Sequence, residues 1–252
     1  MFAIGQPPYL ECSTAGDKRF SPFCAYVNGS SIESQYQAAK ILPDGRTGLH
    51  WREAKNQPAV NILACRALYD KLWVQYLCEC PHLIPIIKAA SGLSDRFGKA
   101  GDTCQAETLW RIRNHQLPLI WVANKKSYKG PGEYIGRPSP LGTPFPVPNV
   151  PCELCSGKGY IRHIVPFSQP PTYTPPELCP SCGHLRTNSI NQYEAWLNDQ
   201  LCLSSPALAE MCRLTNIYKQ QQYLILICWC SPLPCHGDII KKKIADCITR
   251  II

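Results

Sequence analysis

The chain has 252 residues, of which 45% are hydrophobic and 17% are charged, so it has enough apolar residues for one large core or two modest ones. Its net charge of +8 is spread along the chain and favours an anionic ligand, such as a phosphate group, or contact with nucleic acid. No apolar run reaches the roughly 18 residues of a membrane-spanning helix, and no signal peptide is recognisable, so we expect no membrane partner.

Sixteen cysteines fit either a disulfide-rich secreted protein or a protein of a reducing compartment. Several of them form close pairs at the spacing of metal ligands. Five others fall within apolar helical patterns, where a buried thiol acts as a small hydrophobic side chain. These five are Cys65, Cys78, Cys202, Cys212 and Cys247. Both features favour a cytoplasmic protein.

The first 116 residues predict a mostly helical domain. Residues 20–30 are expected to form a short hairpin or an extended segment, with Asn28 and Gly29 as the turn signal. A helix should begin near Ser31, with Ser30 or Ser31 as its N-terminal cap. Helical spacing of apolar residues continues through residues 58–90 with a break at a proline, and a further helix is predicted over residues 103–114, burying Trp110.

Residues 117–252 predict a small α/β domain with a mainly parallel sheet, so that the whole chain is α+β to α/β. Apolar runs predict buried strands at residues 117–123 and 223–228, and residues 130–151 are expected to be mostly loop. Helices are predicted over residues 188–202, 206–222 and 238–252. A zinc-ribbon-like insertion is expected at about residues 150–186.

Two C-x-x-C pairs lie in that insertion, separated by residues 156–178. A C-x-x-C turn aims two thiolates at one tetrahedral metal ion, and two such turns complete a shell of four sulfur ligands. The predicted ligands are Cys152, Cys155, Cys179 and Cys182. Because four thiolates close the shell, this zinc is expected to be structural rather than catalytic.

A second cluster follows the strand predicted at residues 223–228 and precedes the last helix. It contains Cys228, Cys230, Cys235 and His236. These residues are candidate ligands for a second metal ion. A loop that binds a ligand without metal, and side chains that simply pack, are the two alternatives.

The second half of the chain resembles a known family at two elements. Residues 134–145 and residues 228–238 are similar to the G-R-x-S-P-L-G-N-P-F and C-W-C-x-P-L-P-C-H-G-D elements of the family called domain of unknown function 4326. The resemblance implies a small α/β fold and a nucleotide-type ligand pocket, with Arg137 and Ser139 as candidate binding residues. The planar guanidinium of Arg137 suits a phosphate or carboxylate, while a surface ion pair is the alternative role.

The first half resembles the NADAR family. Residues 19–23 are similar to its F-S-N-F element, and residues 32–40 (I-E-S-Q-Y-Q-A-A-K) are similar to its V-E-x-x-Y-Q-A-A-K helix. The resemblance implies an N-glycosidase that acts on phosphoribosylated or ADP-ribosylated bases, with Glu33 as the catalytic carboxylate. The implied substrate-binding residues are Arg19, Tyr36, Gln37, Lys40 and Asp95.

The chemistry of that reaction suits a carboxylate. Cleavage of an N-glycosidic bond passes through an oxocarbenium-like state, which a carboxylate stabilises while it activates water. Backbone N–H groups in the first helical turn, beside Glu33, are candidates to hold a ligand phosphate, and Lys40 is placed to neutralise it. The alternative roles are a favourable charge at a helix N-terminus for Glu33 and a solvated surface position for Lys40.

Three functions follow from these patterns. The first is a hydrolase that cleaves an N-glycosidic bond in a nucleotide or ADP-ribose derivative, with a zinc-stabilised domain that recognises the nucleotide. The second is a non-catalytic zinc-containing protein that binds a nucleotide or nucleic acid. The third is a zinc-ribbon adaptor to nucleic acid, which the few aromatic and basic residues of the insertion disfavour.

Overall fold

The computed structural model describes residues 9–97, 104–145, 147, 152–156, 160–161 and 177–249. The chain divides into two compact units, with the first boundary between Leu119 and Ile120. That residues 1–116 and 117–252 form two separate domains stays a prediction.

Helices make up most of the regular secondary structure in the described residues of unit one. Its helices are α1 (Ile32–Ala38), α2 (Trp51–Ala54), α3 (Ile62–Glu79), α4 (Ile84–Ala89) and α5 (Gln105–Arg113), with short 3-10 turns at Lys18–Phe20 and Pro81–Leu83. Two short strands that the sequence did not predict, β1 (Leu10–Glu11) and β4 (Leu93–Ser94), pair in parallel. Their brevity explains why no apolar alternation marked them.

The predicted hairpin consists of β2 (Tyr26–Val27) and β3 (Ser30–Ser31). Asn28 and Gly29 have φ angles of 53° and 80°, as a two-residue turn that follows the strand twist requires. The Ser31 side chain then caps α1 by accepting a hydrogen bond from the Ser34 backbone N–H. The turn and the cap together fix where the helix begins, and both predictions are confirmed.

Helix α3 lies at the centre of unit one and contacts α1 and α5. It buries Leu72, Trp73 and Leu77, and it ends two residues before Pro81. The prediction that Trp110 is buried is wrong, because its side chain is 45% exposed. The buried residues of α5 are 105, 106, 108, 109 and 112, and residue 110 lies at the edge of that face. Thr103, where this helix was predicted to begin, lies outside the described residues.

Unit two contains a three-stranded parallel sheet, which confirms the mixed α/β class. Its strands are β5 (Ile120–Asn124), β6 (Glu133–Tyr134) and β9 (Leu224–Cys228), in the order β5-β9-β6. The central strand β9 is apolar throughout, since α7 (Pro206–Gln221) and α8 (His236–Thr249) both pack on it. Helix α6 (His184–Leu201) packs on α7 and α8. The short strand β6 falls in the segment predicted to be mostly loop.

Buried thiols were predicted at five helical cysteines, and the structure confirms Cys65 and Cys78 only. The prediction is wrong for Cys202, Cys212 and Cys247, which are exposed. In α8 the buried residues recur at 240, 244 and 248, and in α7 at 207, 211, 214, 215 and 218. Cys212 and Cys247 each lie next in sequence to a buried residue, but outside the buried face of the helix. A position within an apolar run therefore did not imply a buried side chain.

A two-stranded antiparallel ribbon of unit two consists of β7 (Tyr160–Ile161) and β8 (Glu177–Leu178). It precedes the second C-x-x-C pair. Among the described helices of both units, none combines the length and the apolar character that a membrane crossing requires.

Candidate active site and cysteine cluster

Unit one contains a cavity of about 1060 Å³ that opens beside the first turn of α1. Five of the predicted residues line it: Glu33, Tyr36, Gln37, Lys40 and Asp95. Aromatic walls come from Phe23, Tyr69 and Phe97, and further cations from Lys55 and Arg66. A carboxylate, amides, cations and aromatic rings therefore face one concave space large enough for a nucleotide-sized ligand.

Glu33 is only 7% exposed, although it carries a carboxylate. Its Oε1 accepts a hydrogen bond of 2.9 Å from the Gln37 side-chain amide, one turn further along α1. Burial raises the pKa of the Glu33 carboxyl; the Gln37 hydrogen bond and the charges of Lys55 and Lys40 oppose that rise. A carboxyl with a raised pKa in a cleft is typical of a general acid or base.

Two buried polar atoms of the cavity residues have no hydrogen-bond partner among the described residues. They are Oε1 of Gln37 and Oγ of Ser21. Both residues are at least nine-tenths buried and both line the cavity. Because unpaired buried polar atoms are costly, these two atoms are suited to bind the polar groups of a ligand.

Lys40 has a structural role that the sequence did not indicate. Its Nζ donates hydrogen bonds to the carbonyl oxygens of Ala54 (3.1 Å) and Gln57 (3.2 Å), and it lies 5.5 Å from the centre of the Tyr36 ring. The side chain is buried, so the alternative of a solvated surface lysine is wrong. Lys40 ties the segment after α2 to the cavity wall.

The predicted phosphate site at the N-terminus of α1 is wrong, because its N–H groups already have partners. The Ile32 N–H donates to the carbonyl oxygen of Ala25, and the Glu33 N–H to that of Pro22, both at 2.9 Å. The Ser34 N–H donates to Oγ of Ser31. A phosphate in the cavity has side-chain cations as its candidate partners instead.

Lys55 is the clearest residue that the sequence reasoning missed. It follows α2 directly, is exposed, lies 5.2 Å from the centre of the Phe23 ring, and lowers the pKa of Glu33 more than Lys40 does. No motif contains it, because its position beside Glu33 depends on how α2 packs on α1. The five-residue element at 19–23 did give a signal, and Ser21 and Phe23 of that element line the cavity.

Arg19, by contrast, is not among the cavity-lining residues. Its guanidinium pairs with the Asp17 carboxylate at 2.6 Å, and its side chain is largely exposed. Asp95 lines the cavity with its carboxylate held in place, since Oδ1 accepts the Phe97 N–H at 3.0 Å and Oδ2 lies 3.6 Å from the Cys104 sulfur. Asp95 therefore remains a candidate binding residue, whereas Arg19 does not line the cavity.

The four predicted zinc ligands in unit two lie together. The sulfur atoms of Cys152, Cys155, Cys179 and Cys182 are all within 4.8 Å of one another. Cys152 is 3.7 Å from Cys179, and Cys155 is 3.4 Å from Cys182, so neither pair is a disulfide. Four sulfurs around one tetrahedral ion, at metal–sulfur distances of about 2.3 Å, would be separated by about 3.8 Å. The cluster is therefore compatible with a metal site.

The local backbone favours a thiolate in this cluster. The backbone N–H of Cys155 lowers the pKa of the Cys152 thiol to about 6, while the neighbouring Cys155 sulfur raises that of Cys182 to about 12. Apart from the cysteines, the apolar side chain packed against the cluster in the described segments is Leu185. Among the described residues, little hydrophobic core therefore surrounds the four sulfurs.

The residues predicted as a second metal site are less well arranged. The Cys228 and Cys235 sulfurs are 3.4 Å apart and the Gly237 N–H donates to the Cys235 sulfur. Nε2 of His236, however, lies 3.0 Å from the carbonyl oxygen of Ile135, where it is already hydrogen-bonded. The second metal ion stays a prediction. The hydrogen bond of His236 favours the alternative in which these side chains simply pack.

Arg137 and Ser139 follow strand β6. Arg137 is exposed, and Oγ of Ser139 is shielded from solvent without a hydrogen-bond partner among the described residues. Their roles in ligand binding stay predictions.

Comparison with known proteins reaches only the second half of the chain. No curated protein and no solved structure matches the chain significantly. The NADAR resemblance of the first half therefore stays a prediction. Residues 122–246 match the family described as Domain of unknown function (DUF4326), so the second half of this chain has the resemblance that its two sequence elements predicted.

Proposed function

We propose that unit one is an N-glycosidase that hydrolyses the bond between a base or amine and the ribose of a nucleotide or ADP-ribose derivative. The observation that carries this proposal is the position of Glu33. A buried carboxylate with a raised pKa lines a large cavity. Among the described residues, the Gln37 amide donates a hydrogen bond to one of its two oxygens, Oε1.

In this proposal Glu33 acts in its ionised form. Its negative charge stabilises the oxocarbenium-like ribose as the bond to the base lengthens, and its free oxygen accepts a proton from the attacking water. Gln37 orients the carboxylate through the 2.9 Å hydrogen bond to Oε1. The base departs with the bonding electrons and takes up a proton, so that water is divided between the two products.

Binding of the substrate is assigned to groups that the cavity already presents. Lys55 carries the exposed positive charge beside Glu33 and suits a phosphate of the substrate. The unpaired atoms of Ser21 and Gln37 suit ribose hydroxyl groups, and Phe23 supports contact with the base. These assignments use residues of unit one alone.

Zinc is the metal that we propose for the cysteine cluster. Four thiolates in C-x-x-C pairs are the ligand set of structural zinc, and the shell leaves no position for a substrate. The ion would hold the ends of the β7–β8 ribbon and the start of α6 together. Its contribution is to folding and not to the reaction.

A non-catalytic function is the alternative, in which the same cavity only binds a nucleotide. A test that separates the two uses purified full-length protein, with phosphoribosyl-amine compounds and ADP-ribosylated nucleic acid as substrates. Chromatography would measure the free base. We expect turnover by the wild type and a loss of about 10²- to 10⁴-fold in Glu33→Gln. Glu107→Gln, which changes an exposed carboxylate on α5, is the matched control and should keep full activity.

The Glu33→Gln protein should also remain folded. Because the folded-state pKa of Glu33 is raised, its ionisation destabilises the protein at neutral pH, and glutamine removes that cost. We expect a melting temperature at pH 7 equal to or above that of the wild type. Full base release by folded Glu33→Gln would refute the assignment, and nucleotide binding without base release by the wild type would favour the binding function.

A further inference from the structure

The three parallel strands of unit two end at one edge of their sheet, and the residues at that edge form an exposed aromatic and basic surface. Tyr134 ends β6, Lys125 follows β5 and Trp229 follows β9. In open α/β sheets this carboxyl edge is where ligands bind. We call Lys125, Tyr134 and Trp229 the Trp229 platform.

Trp229 is held in place although its side chain is exposed. It is 51% exposed, and its indole Nε1 donates a hydrogen bond of 3.0 Å to the Tyr134 hydroxyl group. The Tyr134 hydroxyl in turn donates to the carbonyl oxygen of Arg137 at 2.9 Å, and the Asn124 side chain donates to the carbonyl oxygen of Trp229 at 3.0 Å. An aromatic side chain fixed by hydrogen bonds loses little entropy when a ligand stacks on it.

A positive charge lies beside this fixed aromatic side chain, and further cations lie nearby in sequence. Nζ of Lys125 lies 4.1 Å from the centre of the Tyr134 ring and 5.5 Å from that of Trp229. The exposed cations of the segment that leads from β5 past β6 are Lys125, Lys126, Lys129 and Arg137. Between residues 120 and 145 the sequence has one acidic residue, Glu133, and its carboxylate is bound by Arg213 at 2.6 Å. The surface is therefore strongly basic.

We propose that the Trp229 platform binds single-stranded nucleic acid. A rigid exposed tryptophan stacks on an unpaired base, and Lys125 and the exposed cations of the same segment contact the phosphates. An acidic peptide would use the cations without the tryptophan, and a neutral sugar would use the tryptophan without the cations. A duplex covers its base faces and offers the platform nothing to stack on.

This binding site goes beyond the proposed glycosidase and does not depend on it. The platform belongs to unit two, whereas Glu33 and its cavity belong to unit one. Failure of one proposal therefore leaves the other standing, because oligonucleotide binding and base release from a small substrate are measured separately.

Fluorescence anisotropy with a labelled 12-nucleotide oligo(dT) and the full-length protein tests the proposal. We expect wild-type binding that weakens as salt concentration rises, and a loss of about 5- to 150-fold in Trp229→Ala. Trp229→Phe retains a ring that stacks and should stay much closer to the wild type. Trp110→Ala, which removes a tryptophan of similar exposure in unit one, is the control and should bind normally.

The basic residues have a separate signature. Replacing Lys126 and Lys129 together by glutamine should lower the slope of log affinity against log salt by roughly 0.7 for each phosphate that the protein no longer neutralises. Circular dichroism should give the wild-type spectrum for every variant. The proposal is overturned if Trp229→Ala binds like the wild type, if the matching duplex binds as tightly as the single strand, or if AMP competes as well as the oligonucleotide.

Discussion

The cavity of unit one and the cysteine cluster of unit two are supported in opposite ways. Around Glu33, the same helix buries Ile32, Tyr36 and Ala38 in the apolar core, and the cavity wall is tied by hydrogen bonds. Around the four cysteines, the described core consists of the sulfur atoms and Leu185. The cavity therefore has support that remains when one polar group is removed, whereas we propose that the cluster depends on a single bound ion.

Loss of the proposed zinc ion should have the largest effect. We expect about one zinc ion per chain in purified wild type, and its loss in Cys155→Ser with Cys182→Ser, because a shell of two thiolates binds zinc far more weakly than one of four. Cleavage near residues 150–186 by a protease should become rapid. Metal analysis by mass spectrometry and limited proteolysis measure both effects.

The matched control for that experiment is Cys202→Ser with Cys247→Ser. These residues are exposed cysteines of the same unit, so zinc content and protease resistance should not change. A protein that is purified without chelator, carries no metal and still resists the protease would contradict the zinc assignment.

An intermediate effect is expected from substitution of the two cavity lysines: one substitution should lower stability and the other should lower activity. Lys40→Met leaves the Gln57 carbonyl oxygen without its donor and should lower the free energy of unfolding by about 1–3 kcal/mol. Lys55→Gln changes an exposed residue, so stability should stay within about 0.5 kcal/mol while kcat/KM falls about two- to fivefold. Chemical denaturation and steady-state kinetics distinguish them, and equal destabilisation by both changes would contradict the separate roles.

The smallest effect is a shift in pH dependence. Glu33 must be ionised to accept a proton, and burial raises its pKa, so activity should fall as pH drops, with a midpoint above the ordinary value for glutamate. Lys55→Gln removes a charge that opposes the rise and should move the midpoint to still higher pH. A profile of kcat/KM against pH measures the shift, and an unchanged midpoint would exclude Lys55 from the electrostatics of Glu33.

Much of the local structure followed from the sequence because its causes are local. Asn28 and Gly29 specified the hairpin turn, Ser31 capped α1, and the apolar run at residues 223–228 gave the central strand. The cysteine cluster was predictable because C-x-x-C spacing brings two sulfurs together. The two C-x-x-C pairs of the insertion then complete one set of four sulfurs.

What the sequence did not predict depends on packing between elements. Lys55 lies near Glu33 only because α2 packs on α1. For the same reason Lys40, which was predicted to bind a ligand, donates hydrogen bonds to the backbone carbonyl oxygens of Ala54 and Gln57. The N-terminal N–H groups of α1 were predicted to be available, but the residues before the helix occupy them. Helical spacing also predicted that Trp110 and Cys247 are buried, but both side chains are exposed.

The most direct test of the central claim is base release in water enriched in oxygen-18. Wild-type protein acting on a phosphoribosyl-amine or ADP-ribosylated substrate should give free base and a ribose product that carries one labelled oxygen, as mass spectrometry would detect. Folded Glu33→Gln should give neither above background. Release of base without the label, or labelled product from Glu33→Gln at the wild-type rate, would contradict hydrolysis at this carboxylate.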